Sequence, residues 1–437
     1  MPHDYDILIA GAGPAGCAAA FDLAHAGRRV LLLDKRSFPR HKACACGLTR
    51  KTLKALRYSV DPVIERVCHE IVLEPPAGPH AGRVRSTRVK TRTPICAMAV
   101  RERFDSFCLQ QTLASARNGG SVSLLKIETI AALRELDDSI ELDLTTPTGP
   151  LTLTAPVLIG ADGSNGQTRR MMQQDKHSKA LSPSASDPAQ DWYTSGFALE
   201  ATVPFSALPQ PLSPSAQDLV FDFAPLPGGY GWLFPKGDHI NIGVGAFAAP
   251  PNGQSPQPLS PSAQDLKQVT RKLLNDYAFH KLGVRELAHI TGQHLGMGGH
   301  TYIPHGRVLL VGDAAGLVDP LTGEGIHSAI VSGQAAAAAI LESTRKPLAA
   351  TSLPTVSSPV SAGSQRDETV AAAYARHLGP LQQTLAFSHR AARAFYREPE
   401  RGFRAMRFPF MRSLILKTYA DGLPHTRLLT ALAKLLT

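Results

Sequence analysis

Gly11, Gly13 and Gly16 stand in the pattern G-x-G-x-x-G, spelled Gly11-Ala12-Gly13-Pro14-Ala15-Gly16, and Asp34 follows 23 residues after the first of them. These residue types at this spacing hold a dinucleotide. The first glycine permits a tight turn, the second lets backbone approach a pyrophosphate, and the third allows close helix packing, with the phosphates at the positive end of a helix dipole. A carboxylate at Asp34, with Lys35 beside it, accepts hydrogen bonds from both ribose hydroxyls. The six cysteines (Cys17, Cys44, Cys46, Cys68, Cys96, Cys108) form no C-x-x-C pair. A structural zinc site is therefore disfavoured, and reduced thiols are the expectation.

The elements that must position these groups follow from the local pattern. Tyr5 to Ala10 reads as a short apolar strand, Pro14 to Ala26 as an alanine-rich helix ended by Gly27, and Arg29 to Asp34 as a second strand. This is a β-α-β unit of a parallel, doubly wound sheet. Val157 to Gly160 and Val308 to Val311 each run into a glycine-bearing turn and are expected in the same sheet. Four stretches rich in Ser, Pro, Ala and Gln, near 173–191, 206–218, 249–264 and 349–366, read as surface loops. Two carry the identical string QPLSPSAQDL, at Gln210–Leu219 and Gln257–Leu266, and Leu181–Asp187 is a partial third copy. Their irregular spacing excludes a solenoid.

With 437 residues, 43% hydrophobic and 19% charged, the chain suits two or three globular domains. The apolar, uncharged run Ile7 to Phe21 is broken by glycines and Pro14, so it reads as strand and turn rather than a membrane span. Only six residues precede it, two of them aspartates, so no secretory leader is expected and the chain is placed in the cytoplasm. From His389 to Thr437, ten Lys and Arg stand against three acids, which is +7 of the net +10. Seven of these arginines interleave with Phe387, Phe395, Phe403, Phe408 and Phe410, and Leu428, Leu429, Leu432, Leu435 and Leu436 follow at helical spacing. Such a segment either lies on an anionic bilayer surface, peripheral to the inner face of the membrane, or caps the protein with its apolar stripe. No nucleic-acid module accompanies the basic residues, so nucleic acid is not an expected partner.

Gly160-Ala161-Asp162-Gly163 and Gly312-Asp313-Ala314-Ala315-Gly316 together resemble the signatures of flavoprotein oxidoreductases and hydroxylases of the para-hydroxybenzoate hydroxylase fold. The resemblance implies FAD, with Asp162, Gly312 and Asp313 at the cofactor. It also implies that Pro320-Leu321-Thr322-Gly323-Glu324-Gly325-Ile326 carries backbone N–H groups to the flavin, and that Arg101 lies near its phosphates. Gly229-Tyr230-Gly231-Trp232-Leu233-Phe234-Pro235, with Pro39-Arg40-His41-Lys42-Ala43-Cys44, is similar to the Y-x-W-x-F-P and cysteine signatures of the geranylgeranyl reductase family. The expected fold is an α/β FAD-binding, doubly wound (Rossmann-like) domain from 1–70, 97–170 and 294–345. Interleaved with it is an α+β substrate domain on an antiparallel sheet, from 71–96 and 171–293, followed by a basic helical C-terminal region, 346–437.

The expected activity is hydride transfer from reduced FAD to isolated C=C bonds of a geranylgeranyl or related isoprenoid chain, on an isoprenoid lipid or prenyl diphosphate. Tyr230, Trp232 and Phe234 alternate along one strand face and suit the wall of a long apolar pocket. An isolated alkene is not polarised, so an acid is needed, and the candidates are Cys44, Tyr230 and His327, with Trp232 positioning the substrate. Cys44 matches the family's cysteine near the flavin, whereas Ala45 and Cys46 stand where the family has glycines before Gly47. No second G-x-G-x-x-G turn is present, leaving NAD(P)H or reduced ferredoxin as electron donor. The alternatives are a flavin monooxygenase or halogenase of the same fold, or a flavin-holding isoprenoid carrier without turnover. A halogenase would resemble W-x-W-x-I-P where this chain has Tyr230 to Pro235.

Overall fold

A computed structural model describes residues 5–77, 85–179, 192–210, 218–246, 263–344, 368–406 and 408–422. The apolar runs assemble into a five-stranded parallel sheet in the order Val308–Leu310, Val157–Gly160, Ile7–Ala10, Arg29–Asp34, Ser121–Lys126. Every residue of Ile7–Ala10 and Val157–Gly160 is buried, as parallel strands covered on both faces require. The helix Pro14–His25 packs against Ile326–Ser343 and Arg101–Leu113. Alanines and Gly333 let the first two approach closely: a Cβ at Gly333 would stand 2.2 Å from the Ala15 carbonyl oxygen.

A seven-stranded sheet forms the second domain, in the order Ile290–Met297, Thr194–Pro204, His239–Ala246, Gly229–Pro235, Leu219–Asp222, Glu70–Glu74, Thr87–Lys90. It is antiparallel except where Leu219–Asp222 runs parallel to Ile71–Glu74. Alternation sorts its two faces. Val203, Leu233, Ile242 and Val244 pack beneath the helix Ala263–Leu282, while Phe221, Tyr230, Trp232 and Phe234 turn to the other side. The last strand stays paired through Met297, opposite Thr194, slightly past the seam expected at 293/294. A short sheet of Gly47–Thr49, Cys96–Ala99 and Ile64–Cys68 links the domains, and Thr129–Glu135, Ile140–Thr146 and Gly149–Ala155 form a separate meander.

Three C-terminal helices, Val370–Arg397, Pro399–Ala405 and Pro409–Asp421, pack across both parts. Tyr374 donates its hydroxyl to the Leu310 carbonyl (2.8 Å), and Tyr396, Phe403, Met406, Leu414, Leu416 and Ala420 are buried. The described part of the basic tail thus caps the protein, with Phe408, Phe410 and Ile415 exposed. No helix among the described residues is long and apolar enough to cross a membrane.

Two expected loops are partly helical. Residues 173–179 continue the helix Gln167–Lys179, whose first turn is held by Asp162, and Ala263 starts the helix that covers the sheet. Most of the QPLSPSAQDL copies, the 349–366 stretch and the leucines from Leu428 onward lie outside the described residues.

Candidate active site

A cavity of ≈ 660 Å³ runs between the two sheets, with the glycine turn at one side and the aromatic strand face at the other. Gly11 has φ +106°, and a Cβ there would lie 2.3 Å from the Ala161 carbonyl oxygen; one at Gly16 would lie 1.9 Å from the Gly11 carbonyl oxygen. These two glycines therefore serve the turn itself. Gly13 differs, because a Cβ there would meet only the Arg40 guanidinium, at 3.5 Å, and would otherwise fill cavity. Gly13 is also the N-cap of Pro14–His25, with no side chain capping the helix, so its first amides are available to an anion. Asp34 ends its strand at the cavity beside Lys35. Its oxygens accept from the Ala12 and Arg36 amides, each at 2.9 Å, which aims the carboxylate and leaves acceptor capacity on both oxygens. An open glycine at a helix N-terminus with a carboxylate next to it fits the pyrophosphate and ribose of FAD.

Gly11, Gly13, Ala15, Asp34, Lys35, Cys44, Arg101, Asp162, Gly312, Asp313, Gly323, Gly325 and Ile326 line this cavity together with Tyr230, Trp232 and Phe234. Pro320 and His327 do not line it, and Gly16 packs behind it. Asp162 spends its carboxylate on the backbone amides of Gln167 (2.6 Å) and Thr168 (3.0 Å) and on the Thr168 hydroxyl (2.6 Å), so it shapes the loop. A Cβ at Gly166 would stand 2.1 Å from that carboxylate, which accounts for glycine there. Gly325 is the N-cap of Ile326–Ser343 without a side-chain cap, leaving that helix end free to stabilise a negative charge. Arg101 is buried and bonds Asp105 through Nε (2.7 Å), while Arg40 reaches the other Asp105 oxygen (3.1 Å).

The aromatic wall is fixed by polar anchors. Tyr230 donates its hydroxyl to the Thr322 carbonyl, tying the sheet to the turn before Gly323. Trp232 donates Nε1–H to Asn241 Oδ1 (2.7 Å), and its ring lies over Gly243, where a Cβ would come within 2.0 Å of it. Tyr419, from the last described helix, also lines the cavity, so the C-terminal region completes the pocket.

Sequence reading missed Glu200. It sits on Thr194–Pro204 opposite Gly243, which lies opposite Trp232 on the next strand, so Glu200 and Trp232 share a row on the cavity face. Its Oε1 accepts from the Cys44 amide (2.7 Å), and the Asn241 side chain bonds it as well. Burial, with the Cys44 thiol adjacent, pushes the carboxyl up to about 7. Lys236, also missed, is buried and donates Nζ–H to the carbonyls of Ala45 (2.7 Å) and Ala99 (2.6 Å). Glu200 and Lys236 thereby clamp the cysteine loop from the second domain. The only local signal for Glu200 was a carboxylate at an inward position of the alternation Ala198-x-Glu200.

The other acid candidates stand differently. Hydrogen bonding from the Cys46 thiol, reinforced by Arg101 against the effect of burial, holds the Cys44 thiol well below the ordinary range. Burial raises the Tyr230 phenol. Burial and nearby Lys51 press His327 down to about 4, so its imidazole is neutral at pH 7.

Residues 4–186 match the FAD binding domain family. An uncharacterised protein of Methanosarcina barkeri is 31% identical over 346 residues, covering 78% of this chain and 76% of that protein. A menaquinone reductase of Mycolicibacterium smegmatis is 28% identical over 351 residues (76% and 75%), and digeranylgeranylglycerophospholipid reductase 2 of Methanosphaera stadtmanae is 26% identical over 342 residues (75% and 75%). Among solved structures, a geranylgeranyl bacteriochlorophyll reductase-like protein from Thermoplasma acidophilum shares the fold at a TM-score of 0.59 and 22% identity, over 78% of each chain.

Proposed function

Because the chain belongs to the geranylgeranyl reductase family of FAD-dependent oxidoreductases, we propose that it saturates isolated C=C bonds in a geranylgeranyl or related isoprenoid chain. The observation that carries this reading is the continuity of one cavity: a dinucleotide cradle opens directly onto an aromatic wall, with a protonatable carboxyl at the junction. Relatives named for menaquinone and for digeranylgeranylglycerophospholipid support an isoprenoid chain as the shared substrate feature.

Bound reduced FAD supplies the hydride. Phe221, Tyr230, Trp232, Phe234 and Tyr419 wall the apolar part of the cavity and exclude water from the alkene. Glu200 delivers the proton from its carboxyl, since half of it is protonated at about pH 7, and its Oε1 is aimed by the Cys44 amide. Cys44 held as thiolate, Tyr230 with a raised phenol and His327 outside the cavity lining are each less suited. Asn241 joins Glu200 to Trp232, coupling the acid to the wall that positions the chain. NAD(P)H or reduced ferredoxin provides the electron pair. Exposed Phe408, Phe410 and Ile415, with Arg404, Arg412 and Lys417 alongside, dock the protein on an anionic bilayer where such lipids reside.

Anaerobic incubation of the dithionite-reduced holoprotein with geranylgeranyl diphosphate, geranylgeraniol or an isoprenoid quinone tests the reading by product mass. Each saturated alkene adds two hydrogens. Flavin that stays reduced with all three favours a carrier, and oxygen incorporated in air favours a monooxygenase.

A further inference from the structure

Cys44 and Cys46 both line the cavity, and both differ in setting from the remaining thiols. Cys46 has φ +51°, the left-handed region that a side chain adopts at a cost and that glycine occupies freely. In an extended segment, residues i and i+2 lie about 6.6 Å apart, at the outer limit for a disulfide. The left-handed turn bends the chain back. It sets the Cys46 amide 3.3 Å from the Cys44 Sγ and brings the two thiols into hydrogen-bonding contact. The loop is held in this form from outside, by Glu200 at the Cys44 amide, by Lys236 at the Ala45 carbonyl, and by the Ala99 amide donating to the Cys46 carbonyl (3.1 Å).

We propose that Cys44 and Cys46 form a redox-active dithiol that exchanges an electron pair with the bound flavin, a second two-electron centre in the same cavity. Oxidation forms the Cys44–Cys46 Sγ–Sγ bond and releases two protons and two electrons. The flavin takes the electron pair and one proton, and the second proton passes to solvent. Reduction runs the same balance in reverse. The pair is asymmetric in the way thiol–disulfide chemistry requires: the Cys46 S–H and, after it, Arg101 favour thiolate at Cys44, while Cys46 keeps its proton through that same bond and through burial. Cys68 and Cys96 supply an internal contrast. They face each other across paired strands and touch through their thiols, yet neither lines the cavity.

This inference needs bound FAD but not the isoprenoid reading, and its test uses no substrate. Holoprotein oxidised with diamide and then freed of it is titrated anaerobically with dithionite while the flavin absorbance is followed. The expected result is two equivalents of dithionite per flavin, with a long-wavelength thiolate-to-flavin absorbance appearing after the first. Cys46→Gly, which suits the left-handed turn, takes one equivalent and shows no such band. Cys96→Ala still takes two. Mass analysis of the oxidised protein should find the peptide containing Cys44 and Cys46 lighter by two hydrogens. A wild-type protein that takes one equivalent overturns the proposal. So does a second equivalent that survives in Cys46→Gly and disappears in Cys96→Ala.

Discussion

The Cys44 amide donates to Glu200 Oε1 across 2.7 Å and 156 residues of sequence, joining the loop that borders the nucleotide cradle to the row of the sheet that holds Trp232. The bond orients a buried carboxyl toward the place where cradle and aromatic wall meet. A carboxyl raised by burial to about 7 still holds its proton in part at neutral pH and gives it up more readily than a free thiol or a phenol.

Glu200→Gln keeps the shape and a bond acceptor for the Cys44 amide but removes the proton. Alkene reduction should fall roughly 10²–10⁴-fold, the usual weight of a general acid, with flavin content unchanged. The sign of the pH effect follows from the raised value. Protonated Glu200 is the active form, so single-turnover flavin reoxidation should be fastest below pH 7 and decline as pH rises through about 7. A profile in wild type that is flat from pH 5.5 to 8.5 would exclude Glu200.

Gly13 and Gly11 should separate cofactor binding from folding. A Cβ at Gly13 has room in the apo protein, so Gly13→Ala is expected to retain the melting temperature of the apo form while losing FAD affinity. At Gly11 the same Cβ strikes backbone and the residue has φ +106°, so Gly11→Ala should lower apo stability by about 1–3 kcal/mol or more. Flavin retention on gel filtration and thermal melts measure both.

Gly243→Ala tests the aromatic wall with a single methyl, set against the Trp232 indole and the Leu199 carbonyl oxygen on the neighbouring strand. The new methyl overlaps the Trp232 indole and pushes it toward the substrate space. FAD content should be preserved, and kcat/KM for a geranylgeranyl substrate should drop by about tenfold, given that a misplacement of about 1 Å costs up to 10². Loss of FAD together with activity would instead place the damage in the fold.

Phe408→Ser with Phe410→Ser leaves the buried residues of the C-terminal helices in place, because both rings are exposed. Wild type should co-sediment with vesicles containing anionic phosphatidylglycerol and release at high salt, since each basic residue near the surface contributes about 1 kcal/mol that salt screens. The double variant should sediment less. Equal sedimentation with neutral phosphatidylcholine vesicles would show that charge plays no part.

What the sequence determined by itself is the part of the site whose geometry is local. Gly11, Gly13, Gly16 and Asp34 belong to one strand–turn–helix–strand unit, so their spacing dictates their arrangement, and the alternation of Tyr230, Trp232 and Phe234 dictates that they share a face. Only the tertiary structure decided the chemistry between distant segments. The row that sets Glu200 beside Trp232 depends on register across three strands, and alternation along a strand carries no information about its neighbours. Lys236 closing on Ala45, Tyr419 reaching the cavity from the C-terminal helix and His327 standing outside its lining have the same origin. The acidity of a carboxyl and the pairing of two thiols depend on burial and on what packs around them, and both exist only once the two sheets have closed on the loop between them.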